Sequence, residues 1–132
     1  MTAPDQSTPV LRWALVAGAL AALLAVMAGA FGAHGLRAMV SERALEVFQT
    51  AATYQMYHAL ALIAAALMPA LGLRPRLLAV ACGFWLLGTV LFSGSLYLLA
   101  LSGIHWLGPV TPVGGVCFMI GWGLLATAAL KK

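Results

Sequence analysis

The side chains able to hydrogen-bond or carry protons gather in one short part of an otherwise apolar chain. Glu46, Thr50, Thr53, Tyr54, Tyr57 and His58 fall within an arc of about 140° on a helix turning 100° per residue. Ala52, Met56, Ala59 and Ile63 occupy the other side. A second row, Thr89, Ser93 and Tyr97, is spaced i, i+4, i+8 and lines one helical face. An imidazole among phenols and hydroxyls can hold a polar headgroup or move a proton, and His58 has a side chain suited to acid–base work near neutral pH. The other two histidines, His34 and His105, lie elsewhere in sequence, and no ligand-spaced pair sits on one helix, which argues against a metal or haem site. Glu42 and Glu46 stand at the edge of the apolar segment rather than inside it. There is no Ser-His-Asp set, P-loop or HExxH motif, so the residues point away from an enzyme and no cofactor is expected.

The elements that position these residues follow from composition. The 132-residue chain is 64% hydrophobic and 8% charged, with a mean hydropathy of +1.02. A soluble domain is nearer half apolar and a quarter charged, so the expected solvent is the lipid bilayer. The net charge of +4 is spread over single and paired basic residues, which excludes a nucleic-acid-binding stripe. Trp13 to Leu36 and Val47 to Leu73 each match the roughly 20 apolar residues of one crossing. Leu77 to Leu130 is too long for one, and breaks at Ser102 to Pro112, where Gly103, Gly108, Pro109 and Pro112 interrupt it. The expected fold is an all-α membrane protein, a four-helix transmembrane bundle with spans at about 13–35, 46–71, 77–101 and 112–130. Residues 1–132 form a single integral membrane domain in this reading. Thr111 before Pro112 reads as a helix cap. The amphipathic segment from Leu36 to Val47, with Leu36, Met39 and Val40 on one face and Glu42, Arg43 and Glu46 on the other, reads as a short interfacial helix between the first two spans. The first span resembles a signal peptide at Ala28, Gly29 and Ala30, but its apolar character continues to Leu36, so a retained helix is expected.

Four crossings place Arg12, Arg74, Arg76, Lys131 and Lys132 on one side and Arg37 and Arg43 on the other. The basic excess makes the first side cytoplasmic, with both termini there, in a bacterial inner (plasma) membrane. Trp13 and Trp106 read as interface anchors. Folding the second and third spans about Arg74-Pro75-Arg76 puts His58 level with Ser93 and Tyr54 level with Tyr97, giving a polar layer displaced toward His34 and His105. That layer admits three readings: mutual hydrogen bonding between helices, a site for a lipid, quinone or other amphiphile, or haem or metal ligation. Small-residue pairs (Gly18 and Ala22, Ala25 and Gly29, Ala28 and Gly32) and the glycines at 114, 115, 121 and 123 allow close helix approach within or between chains. Cys82 and Cys117 read as small buried hydrophobes on different helices, not as a disulfide.

The segments GAFGAHGL (29–36), FQTAATYQMYHALAL (48–62), LFSGSLYLLAL (91–101), TPVGG (111–115) and GW (121–122) together resemble the small inner-membrane YgdD-like family, domain of unknown function 423. The resemblance covers nearly the whole chain after residue 12 and implies a four-helix membrane protein. It carries no activity, substrate or catalytic residue. Its signature residues His34, Tyr54, Gln55, His58, Ser93, Tyr97 and Thr111 coincide with the polar layer. The favoured function is a non-enzymatic binding or accessory membrane module, acting as a homo-oligomer or with a membrane-complex partner. A small-molecule or lipid/quinone-binding transporter acting as an oligomer is the alternative. A haem- or metal-binding redox subunit is the third.

Overall fold

The structure is a computed structural model that describes residues 9–131. Four helices in it are long and apolar enough to cross a membrane, and no strand occurs among the described residues. They are α1 (Arg12–Ala33), α2 (Glu42–Leu67), α3 (Pro75–Ser102) and α4 (Val110–Leu130). Neighbours in sequence pack against one another, α1 on α2, α2 on α3 and α3 on α4. This leaves α2 the most buried span and α1 the least. Trp13 and Trp106 are exposed near opposite ends of the bundle.

Small residues decide how α1 docks. Ala14, Gly18, Ala21, Ala25 and Gly32 are buried along one face, at the 3–4 residue spacing of a helix seam. A methyl added at Gly18 would stand 2.8 Å from the Ala59 carbonyl oxygen, so the α1 backbone lies nearly against α2. Gly29, by contrast, faces open space. The Leu11 amide donates to the Ala66 carbonyl at 2.9 Å, closing the α1–α2 pair at the end that carries Arg74.

The turns obey local chemistry. α2 continues as a 3-10 turn over Met68–Leu71 and stops at Gly72, whose φ of 88° an L side chain rarely adopts. Pro75 then occupies the first turn of α3, where no amide hydrogen is needed. α3 ends at Gly103, φ 71°, and a 3-10 turn over His105–Leu107 leads into α4.

Three local expectations are corrected. Between the first two spans the only helical turn is 3-10, Leu36–Ala38, because Ser41 caps α2 early by accepting from the Ala44 amide at 3.1 Å. Residues 42–47 therefore belong to α2. Leu36 is buried while Met39 is 73% exposed, so the two do not share a face. Thr111 is not a cap: α4 begins one residue earlier and has no side-chain cap. The third feature is a π-helical turn, Thr89–Ser93, inside α3, in which the Gly94 amide bonds back to the Thr89 carbonyl. Such a turn inserts an extra residue and rotates the remainder of the helix; the i, i+4, i+8 row of the sequence assumed an uninterrupted helix.

Candidate functional site

The inward face of α2 is made by Phe48, Ala51, Gln55, His58, Ala59 and Leu62, all buried. Its alanines let α1 and α3 come close, and its two polar side chains then bond across the gaps. Gln55 donates from Nε2 to the Ala21 carbonyl of α1 at 2.8 Å and accepts at Oε1 from the Tyr97 hydroxyl of α3, also at 2.8 Å. One side chain thus links three helices. Ser93 donates to the Ala51 carbonyl at 2.7 Å, and Tyr97 lies edge-on to Phe48 with ring centroids 4.9 Å apart.

His58 is turned toward α4. Its ring stacks on Phe118 at 3.5 Å between centroids, with 9° between planes. Trp122 Nε1 donates to Nε2 at 3.1 Å, which requires that nitrogen to be unprotonated; Nδ1–H donates to the Tyr54 carbonyl at 2.8 Å. These partners define the neutral Nδ1–H tautomer. With both nitrogens engaged, His58 presents neither a free lone pair nor a free proton. Between α3 and α4, the Ser95 and Thr111 hydroxyls meet at 2.6 Å, and Trp85 packs fully buried against Gly121 and Trp122. Its indole N–H is the buried side-chain polar atom without a partner among the described residues.

The seven sequence candidates are thereby sorted. Gln55 and Tyr97 bond to each other; Ser93 bonds separately to the α2 backbone at Ala51, His58 to Trp122 and the Tyr54 carbonyl, and Thr111 to Ser95 between α3 and α4. His34 is exposed at the end of α1, beyond these bonds. Tyr54 is 41% exposed; its carbonyl accepts from His58 and its ring packs against Phe92 at 5.0 Å between centroids, while its hydroxyl has no partner among the described residues. The polar arc read on the second span is corrected more broadly. Glu46, Thr50, Thr53, Tyr54 and Tyr57 face outward, Tyr57 being 57% exposed, while Ala52 and Ala59, assigned to the far side, are buried. Small residues, not polarity, choose the packed face of this helix. Gln55 was found only through the family signature, yet a carboxamide in mid-span with apolar neighbours already signals a need for partners. Trp85 and Trp122 were missed; the signal was Trp122 lying one residue past the buried Gly121.

Clefts open at the end of the bundle that carries the Leu36–Ala38 and His105–Leu107 turns. One, of about 460 Å³, is lined by Ala33, Arg37, Val40, Glu42, Leu45 and Gln49. Another, of about 310 Å³, runs between α2, α3 and α4, with Arg43, Glu46, Thr50, Phe92, Leu96 and Thr111 among its lining. Gln55, His58, Ser93 and Tyr97 line neither. Among the described residues no three His, Cys, Asp or Glu side chains come together as metal ligands. Cys82 and Cys117 are buried free thiols.

Four long apolar helices joined by short turns, with internal bonds between them, define the class: a small multi-pass membrane protein. A family model described as a protein of unknown function (DUF423) matches residues 28–115. A UPF0382 membrane protein of Staphylococcus epidermidis is 46% identical over 119 residues, covering 89% of this chain and 94% of the relative. The UPF0382 membrane protein YwdK of Bacillus subtilis is 44% identical over 119 residues, covering 89% and 95%. No solved structure matches the chain. The chain belongs to the DUF423 family of membrane proteins.

Proposed function

We propose that this protein is a non-enzymatic membrane module, a binding or accessory unit that works by associating with another component of the bilayer. One observation carries the reading: Gln55, His58, Ser93 and Tyr97 in the bundle interior are engaged with one another, with Trp122 or with backbone carbonyls, and none of them lines either of the two clefts described above. Gln55, His58, Ser93 and Tyr97 then serve to hold the helices in one arrangement, as interhelical hydrogen bonds do in lipid. The whole chain acts as a single integral membrane domain. It sits in the bacterial inner membrane with both termini cytoplasmic, as the basic residues Arg12, Arg74, Arg76 and Lys131 at one end favour; Lys132 lies outside the described residues.

Native mass measurement of the chain extracted with its surrounding lipid tests the proposal. The expected result is a companion in fixed stoichiometry, whether a further copy, another subunit or a retained amphiphile. A bare monomer overturns it.

A further inference from the structure

The outward face of α2 is chemically unlike the other lipid-facing surfaces. On α1 the exposed positions include Val16, Leu20, Leu23, Leu24, Val26 and Met27; on α4 they include Val113, Val116 and Met119. On α2 the first half of the exposed face is Glu46, Gln49, Thr50, Thr53 and Tyr57, and only then Leu60, Ala64 and Leu67. These residues form one continuous row on the helix, near the i, i+3/i+4 spacing. Thr50 spends its hydroxyl on the Glu46 carbonyl at 2.9 Å, whereas Gln49, Thr53 and Tyr57 make no side-chain hydrogen bond among the described residues.

Depth turns this row into a physical problem. The span Glu42–Leu71 has 30 residues, of which about 20 fit the hydrocarbon core. Centred, the core begins near residue 47, so Thr53 starts about 9 Å below the interface and Tyr57 about 15 Å, close to the midplane. Phospholipid headgroups do not reach that level, and acyl chains offer no hydrogen bonds. Polar side chains at such depth turn to protein or to water-filled space.

We infer that the row Arg43–Glu46–Gln49–Thr53–Tyr57 on α2 is the contact through which two copies of this chain associate side by side. The inference rests on the reading of the protein as an association module and names its partner. Two copies inserted in the same sense relate by a two-fold axis along the membrane normal, so their α2 helices run parallel and like residues meet at equal depth. Carboxamide and hydroxyl groups are each donor and acceptor, so Gln49, Thr53 and Tyr57 can each bond to their own counterpart. The charges complement as well. Arg43 and Glu46 lie one turn apart, 3.4 Å from each other, with side chains 82% and 69% exposed. Across a parallel pair Arg43 reaches the partner's Glu46 and the reverse, giving two ion pairs at the rim. Ala64, between Leu60 and Leu67, lets the inner halves of the helices close together.

The test is disulfide trapping of the full chain in native membranes. Thr53→Cys and Tyr57→Cys are compared with Leu24→Cys on α1 and Val116→Cys on α4, the two buried native cysteines being retained. Dimer bands at least several-fold stronger for the α2 pair are expected. Charge reversal supplies a second measurement at exposed positions that leave the fold intact: R43E or E46R alone lowers trapping of Thr53→Cys several-fold, and R43E/E46R restores it. Equal trapping on all faces, or a double reversal no better than either single, overturns the inference. Trapping of Thr53→Cys to a protein of another mass also overturns it while leaving the association reading in place, because native mass measurement would then show that other companion.

Discussion

Replacing Gly114 by alanine puts the packing of α3 against α4 at risk through one methyl group. Its Cβ would stand 2.4 Å from the Phe92 amide nitrogen and 2.8 Å from both Phe92 Cα and Cβ, where ordinary contact is 3.4–4 Å. Two of those atoms are backbone, so no change of rotamer relieves the overlap, and the helices must part locally by about 1 Å. Overfilling a packed contact of this kind costs about 1–3 kcal/mol. The upper end is expected, since the Ser95–Thr111 hydroxyl pair lies one turn away and its bond, worth about 0.6 kcal/mol in a membrane, opens as well. Alanine's greater helix propensity returns about 1 kcal/mol. The net loss is about 2 kcal/mol, or roughly 30-fold in the ratio of folded to unfolded protein. Unfolding in mixed micelles under denaturing detergent measures it, with Gly123→Ala as the matched control, because a methyl there meets nothing within 4 Å. That control should be as stable as the parent or slightly more so. If Gly114→Ala unfolds at the same point as Gly123→Ala, the helices do not approach as described.

Four further outcomes are expected. Gln55→Leu and Tyr97→Phe, made singly and together, should show a coupling of about 0.6–1.7 kcal/mol in unfolding, the range of interhelical bonds in lipid; purely additive losses would mean that the 2.8 Å bond between them contributes nothing. Nitrogen-15 spectra of His58 should show a protonated Nδ1 and an unprotonated Nε2, with Trp122→Phe perturbing the Nε2 resonance; a protonated Nε2 in the parent would contradict the Trp122 contact. Ser41→Ala should cost about 1 kcal/mol and speed exchange of the Ala44 amide, while Ser41→Asp keeps both near the parent; no change in exchange would remove the cap. An impermeant thiol reagent applied to intact cells should label Ile104→Cys and spare Arg76→Cys, and the opposite pattern would invert the orientation drawn from the basic residues.

The number of helices was legible because charge-free length and glycine–proline breaks depend on local sequence alone, and the four spans appear at nearly the expected limits. The α2–α3 register was legible only in part: Tyr97 reaches Gln55, one position from the expected Tyr54, but Ser93 bonds to the Ala51 carbonyl, seven positions from the His58 expected at its level. The face of α2 was not legible, for a physical reason. Polarity suggested that the hydroxyl-bearing arc turns inward, but Ala51, Ala59 and Ala65 allow neighbouring helices to come nearest on the other side, and all three are fully buried. The start of α2 was available in Ser41 and was overlooked in favour of the apolar run. The π turn in α3 carried no such sign, since Thr89–Ser93 reads as ordinary helix and its extra residue depends on what α3 packs against.

In water, burial of apolar surface would bring these four helices together without specifying which lies beside which. In lipid even that general force is missing, because acyl chains are as apolar as leucine. The order must come from contacts that only one arrangement permits. Gly18 requires the Ala59 backbone, Gly114 requires that of Phe92, and Gly121 requires the flat edge of Trp85. The side-chain bonds repeat that pairing and add to it. Gln55 fixes α1 and α3 to α2, Ser93 fixes α3 to α2 a second time, and the Trp122–His58 bond brings α4 to α2 across the bundle. A helix swapped in order would leave a carboxamide, an imidazole and two hydroxyls unpaired at membrane depth, each costing more than its bond gains. The same logic separates the two polar faces of α2: the inner one is satisfied within the chain, whereas Gln49, Thr53 and Tyr57 on the outer one make no side-chain hydrogen bond among the described residues.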